Sequence, residues 1–158
     1  MSGTESGVAV AATGRSPHIS YVIARLERAV RKEIGRLVGP RGLSVAQYTT
    51  LSILRSRSGL SNAQLARRLW VTPQSMNEVI SALERAGLIE RVPDAGNRRI
   101  LRTALTPAGR ATLEACDADI LVMEEQMLAD LSGEDHDRLV DTLEACVRRI
   151  GTLADERR

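Results

Sequence analysis

Residues 61–83 read SNAQLARRLWVTPQSMNEVISAL, and this stretch decides the fold. Ser61 and Gln64 stand at capping-box spacing, in which the Ser side chain accepts the N–H three residues on and the Gln reaches back to the cap. A short helix over residues 62–69 follows, with Leu65 and Leu69 facing inward. Trp70-Val71-Thr72 leaves room only for a tight turn. Thr72-Pro73 then opens a longer helix, because Thr accepts an orphan N–H at the cap and Pro is tolerated in the first turn. Two helices joined by a turn of about three or four residues make a helix-turn-helix, whose second helix fits the major groove of DNA.

The second helix sorts its residues by face. Met76, Val79, Ile80 and Leu83 recur at helical spacing and point inward, which leaves Gln74, Asn77, Glu78 and Ser81 outward and Ser75 near the boundary. Gln and Asn can bond adenine edges bidentately, Ser can bond bases or phosphate, and Glu can accept from cytosine. Thr72 and Ser75 sit at the helix N-terminus, where backbone N–H groups attract phosphate. Ser61, at the start of the shorter helix, joins them as a candidate DNA contact. The competing reading is an ordinary solvated face. The short helix before it and the segment after it favour DNA.

That following segment, residues 88–105, abandons the helical period. Two short runs, 88–92 and 100–105, flank Pro93-Asp-Ala-Gly-Asn97 and predict a hairpin with a loop of several residues. Arg91, Arg98, Arg99 and Arg102 decorate it. Arginine on a thin wing can enter the minor groove, where narrow A/T-rich segments concentrate negative potential. Arg91, Arg98 and Arg99 are candidate DNA contacts.

Working outward, other helix starts carry the same cap chemistry: Ser16-Pro17, the Ser44–Gln47 capping box, Thr106-Pro107, and Ser132-Gly-Glu-Asp135. Apolar stripes support each helix. Helix one carries Ile19, Ile23, Leu26, Val30 and Leu37 and stops near Gly39-Pro40; helix two carries Tyr48, Leu51 and Leu54. Helix five repeats Leu113, Cys116, Ile120, Met123, Met127 and Leu131, and helix six Leu139, Leu143, Cys146, Ile150 and Leu153. The expected fold is mainly α with a two-stranded β wing, in the order α1-α2-α3-α4-β-β-α5-α6: a winged helix-turn-helix flanked by N- and C-terminal dimerisation helices.

Composition agrees. The chain has no Phe, one Trp and two Tyr, against the aromatic and β-branched enrichment of strand-rich folds. Net charge is only +2, yet residues 1–110 hold 17 Arg and Lys against 7 Asp and Glu, and residues 111–158 hold 5 against 13. That asymmetry fits a nucleic-acid binder whose last segment faces away from DNA. The first 17 residues, MSGTESGVAVAATGRSP, lack the charged start and apolar run of a signal peptide and read as a disordered arm. The expected compartment is the cytoplasm, with no membrane partner. No HExxH, P-loop or strand-linked GxGxxG is present, and only His18 and His136 offer imidazole. Neither an enzyme, a metal site nor a cofactor is expected.

Taken in order, Leu65-Ala-Arg-Arg-Leu69, Val71-Thr-Pro-Gln-Ser-Met76, Leu83-Glu-Arg-Ala-Gly-Leu-Ile-Glu-Arg91, Asn97-Arg-Arg99 and Leu105-Thr-Pro-Ala-Gly109 resemble the MarR family over about residues 17–155. The resemblance implies a two-fold dimer with helices one, five and six intertwined. It also implies paired winged domains gripping a pseudo-palindrome in double-stranded DNA, and release by a small-molecule effector. The implied divisions are a disordered arm at 1–15, a dimerisation region at 16–38 and 107–158, and a DNA-binding domain at 39–106. The implied effector crevice lies among helices one, two and five, where His18, Tyr21, Ile23, Tyr48 and Leu51 could reach it. In one respect the chain departs from the family, which commonly has an acid bracing the wing arginines where this chain has Asn97. The brace is then absent or comes from Asp94.

Two alternatives accompany this reading. A winged helix can bind protein instead of DNA, although the wing arginines and the polar helix face argue against that here. A cysteine-based redox regulator needs an exposed thiol in electropositive surroundings, whereas Cys116 is flanked by Glu114 and Asp117.

Overall fold

A computed structural model describes residues 18–155, with side chains described as far as residue 152. The expected cap at Ser16-Pro17, the arm at 1–15 and the side chain of Leu153 lie outside those residues. The order is α1 (Ile19–Val38), a 3-10 turn (Gly39–Arg41), α2 (Val45–Ser56), α3 (Asn62–Leu69), α4 (Pro73–Arg85), β1 (Ile89–Pro93), β2 (Leu101–Leu105), α5 (Pro107–Met127) and α6 (Gly133–Asp155). This is the expected winged helix-turn-helix, with each strand displaced by about a residue from its expected start.

The caps form as the residue types require. Ser44 with Gln47 and Ser61 with Gln64 make reciprocal capping boxes, while Thr72 and Thr106 accept the N–H groups of Ser75 and Gly109. Each cap satisfies donors that an open helix end would leave unpaired. Leu51, Leu54, Leu65, Met76, Ile80, Leu83, Leu113 and Cys116 belong to one core, joined by Val38 of α1 and by Ile89 and Leu105 of the wing strands. Thr50 and Thr103 are buried with it, and Thr50 meets its hydroxyl need by donating to Ala46 O.

Two backbone features set the geometry around α4. Gly87 (φ +70) ends that helix, and Leu88 N–H turns back onto Leu83 O, a left-handed closure that costs glycine nothing. Gly109 lets α5 touch the wing, since a Cβ there would stand 2.0 Å from Leu88 O. Thr106 completes the junction by donating its hydroxyl to Gly87 O.

β1 and β2 pair antiparallel from Ile89↔Leu105 to Pro93↔Leu101. Among the described residues a single further bridge, Leu60↔Thr103, hooks β2 onto the α2–α3 connection. One paired residue has no periodicity, so the sequence carries no signal for it.

The outer helices are only half packed. Ile34, Leu37 and Val38 at the end of α1 enter the core, whereas Ile19, Val22, Ile23 and Leu26 at its beginning are exposed. On α6, Val140, Leu143, Val147 and Ile150 are exposed at steps of three and four, and only Leu139, Ala145 and Gly151 are partly covered among the described side chains. The open stripe is therefore wider than the expected one, which omitted Val140 and Val147. Among the described residues no helix is long and apolar enough to cross a membrane.

Candidate nucleic-acid interface

The two faces of α4 separate as its spacing demands. Met76, Ile80 and Leu83 are buried, and Gln74, Ser75, Asn77, Glu78 and Ser81 are all exposed. Thr72 serves both as cap, 3.1 Å from Ser75 N, and as donor to the Ser75 hydroxyl at 2.9 Å. Asn62, at the start of α3, donates to Pro73 O at 3.2 Å and ties the two helices together at their N-terminal ends. Ser61 is half-buried, with its hydroxyl committed to capping.

The wing tip is held by Asp94. Asp94 Oδ1 accepts the N–H groups of Gly96 (2.9 Å) and Asn97 (3.0 Å), and Asp94 Oδ2 accepts from Arg102 Nε at 2.7 Å. Arg102 also donates to Gly59 O at 3.2 Å and to Gln64 Oε1 at 3.3 Å. Gln64 is the capping residue of α3, so a single guanidinium joins the wing tip to the helix-turn-helix. Arg102 and the two backbone N–H groups hold the Asp94 carboxyl below the ordinary aspartate range. Asn97 contributes a neutral contact, its side-chain oxygen accepting Arg99 N–H at 3.1 Å. The brace that Asn97 cannot supply thus comes from Asp94, and its partner is Arg102.

The candidate arginines fall into two states. Arg98 and Arg99 are exposed and make no ion pair among the described residues. Arg91 is paired with Glu84 of α4, which raises the guanidinium's pKa and lowers the carboxyl's. Arg91 Nε is buried without a partner. This pair fastens the base of the wing to the last turn of α4. Arg91 and Arg99 line a groove of about 460 Å³ among α3, α4 and the wing, together with Asn77 and Ser61.

The residues assigned to an effector crevice are dispersed. His18, Tyr21 and Ile23 stand exposed at the start of α1, Tyr21 beneath the Arg25 guanidinium. Leu51 is fully buried in the core. Tyr48 is half-buried between α2 and α5 and donates to Asp117 Oδ1 at 2.9 Å, while Arg55 pairs with the other carboxylate oxygen. Burial, with Asp117 adding to it, pushes the Tyr48 hydroxyl up to about 12. Cys116 is buried and its thiol is pushed up by that burial, away from thiolate reactivity; Cys146 is exposed on α6.

Two features of the site were not among the sequence candidates. Arg102 reads as one more wing cation until the strand register sets it diagonally across from Asp94. Trp70 closes α3 at φ 55, the only non-glycine residue with positive φ among the described residues. That conformation costs about 1–2 kcal/mol for a residue with a Cβ.

Residues 43–101 match the model of the MarR family. The HTH-type transcriptional repressor Rv2887 of Mycobacterium tuberculosis is 34% identical over 114 residues, spanning 72% of this chain and 82% of that one. The crystal structure of Rv2887 in complex with salicylic acid superposes with a TM-score of 0.67 at 31% identity, covering 84% of this chain and 98% of the other. The transcriptional regulator BldR from Sulfolobus solfataricus gives a TM-score of 0.74 at 27% identity, over 82% and 92% of the two chains. Motifs, winged fold and relatives converge: this chain belongs to the MarR family and is a transcriptional regulator, not an enzyme.

Proposed function

We propose that the chain represses transcription as a homodimer that binds a pseudo-palindromic operator and leaves it when a small molecule binds. The observation that carries the DNA reading is the division of α4. Buried Met76, Ile80 and Leu83 fix the helix, and Gln74, Ser75, Asn77, Glu78 and Ser81 project from the other side. These residues reach base edges, and the N–H groups of the α4 N-terminus take phosphate, with Thr72 and Ser61 shaping the approach through their caps. Arg98 and Arg99 supply minor-groove and phosphate contacts from the wing, with Arg91 at its base.

Dimerisation rests on α6. An amphipathic helix gains most of its stability from packing its apolar face, and the Val140–Ile150 stripe is open in the single chain. The exposed start of α1 and Leu121 and Val122 of α5 extend the apolar surface. Residues 16–38 and 107–158 accordingly form the dimer base and residues 39–106 the DNA-binding domain. The acidic side chains of α5 and α6 then face away from DNA, as repulsion requires.

The relative bound to salicylic acid supports an aromatic carboxylate as effector class. Arg55 beside Tyr48 at the α2–α5 junction offers a cation and a ring to such a molecule. Selection of bound duplexes from a random pool tests the operator half of the proposal. The expected winner is an inverted repeat with half-sites about 34–36 Å apart, released by titration with salicylate. Failure to enrich any repeat would sink the operator assignment. An enriched duplex insensitive to salicylate would sink the effector class alone.

A further inference from the structure

We propose that Trp70 and Val71 form an apolar foot that rests on the deoxyribose–phosphate backbone at the rim of the major groove. The proposal builds on the reading of α4 as the helix that enters that groove. When the second helix of the pair presents its N-terminal residues to bases, the first crosses the backbone. The turn joining them lies on the rim between.

What the turn presents there is unusual chemistry for a solvated loop. Trp70 is 61% exposed and Val71 41% exposed. The indole is not needed to hold the turn, whose backbone is already satisfied: Trp70 N–H donates to Arg67 O and Val71 N–H to Ala66 O. The largest side chain in the protein therefore occupies a left-handed position that suits glycine, with most of its surface in water. Strain retained at such a position points to a function for the side chain.

The surroundings identify the partner. Arg67 and Arg68, in the last turn of α3, are exposed and make no ion pair among the described residues. Thr72 follows Val71 directly, with the N-terminus of α4 behind it. Arg67, the apolar ring of Trp70, the Ser75 hydroxyl and the N–H groups opening α4 thus follow one another closely along the chain, with Arg68 set beside α2. A nucleic-acid backbone alternates charged phosphates with apolar sugar faces, and the indole N–H can itself donate to a phosphate. A protein partner would instead call for an apolar centre depleted of charge. The foot reads no base, so it strengthens binding to every duplex.

Trp70 is the only tryptophan in the chain, so intrinsic fluorescence reports this residue alone. The probes are the duplex recovered by selection and a random-sequence duplex about two helical turns long, with binding followed independently by anisotropy of an end label. Both duplexes are expected to shift the indole emission and shield it from acrylamide. Trp70→Gly is expected to keep or raise the melting temperature while weakening both duplexes about tenfold, the scale of one half-buried aromatic side chain. Trp70→Phe is expected to recover most of that affinity. Bound DNA with unchanged emission and acrylamide access, or wild-type affinity in Trp70→Gly, overturns the foot and leaves the α4 reading intact. Should no duplex bind at low salt, both fall together.

Discussion

Arg102 Nε donates to Asp94 Oδ2 at 2.7 Å, and the same guanidinium reaches Gln64, the capping residue of α3. The wing is therefore fastened to the helix-turn-helix by a half-buried residue. Arg102→Leu is expected to speed amide exchange at residues 94–100 while exchange in α4 stays unchanged, and to weaken DNA binding through a looser wing. Asp94 is held below its ordinary value of 3.8 by Arg102 and two N–H groups. Its contribution is thus complete above that value and is lost as pH falls through the lower folded one. Exchange across 94–100 that rises equally in α4 would show the bond to be general scaffolding.

Asn77 and the wing-tip arginines should fail in different ways. Asn77→Ala is expected to lose about 1–3 kcal/mol of discrimination at one base position. Arg98→Ala and Arg99→Ala should weaken all duplexes and flatten the salt dependence by roughly one unit of log–log slope for each phosphate left without its cation. Uniform weakening by Asn77→Ala would mean that α4 enters the groove with another face.

Gly109→Ala is expected to destabilise the protein by about 3 kcal/mol or more, because the added methyl meets backbone at Leu88 that cannot swing aside. Denaturant unfolding reads this directly. A cost no larger than that of an ordinary surface substitution would mean that α5 can move off the wing freely.

Val147→Glu and Ile150→Glu place charge on the open stripe of α6. Each is expected to turn a dimer into a monomer by analytical ultracentrifugation and to abolish binding to a two-half-site duplex. A variant that stays dimeric would move the interface elsewhere.

Tyr48 keeps its proton to about 12 when folded, against about 10 in an unfolded chain. Its contribution is full below pH 10 and declines as pH rises from there through 12. Absorbance titration of Tyr21→Phe, which leaves Tyr48 the only tyrosine, should show the late ionisation. Tyr48→Phe should cost about 0.5–1.5 kcal/mol for the hydrogen bond to Asp117. An ionisation at the unfolded value would show that the α2–α5 junction is open to water.

Much of the fold is legible in the chain because its causes are local. A capping box needs two residues three apart, and Ser44–Gln47, Ser61–Gln64, Thr72-Pro73 and Thr106-Pro107 each declare a helix start within one turn. Helical spacing then sets which side of α4 is apolar, and hence that Gln74, Asn77, Glu78 and Ser81 face out. The change of period at residue 88 announces the wing. For these elements the interacting residues are near neighbours in the chain, so the sequence alone determined helix order, the wing and the polar face of α4.

Tertiary structure decided everything that depends on register and approach. Arg91 and Arg98 look alike in sequence, yet one is paired with Glu84 and the other is open to solvent, because β1 passes the end of α4 and the wing tip does not. Leu51 and Tyr48 share a helix, but only Tyr48 lies at the α2–α5 junction where it can meet Asp117. Asp94 and Arg102 become partners only when the strands fix which residues lie diagonally opposite. Trp70 shows its left-handed backbone only after Val71 N–H turns back to Ala66. Hydrogen bonds and ion pairs act over a few ångströms, and side chains 7 to 69 positions apart come that close only through the packing of the whole chain.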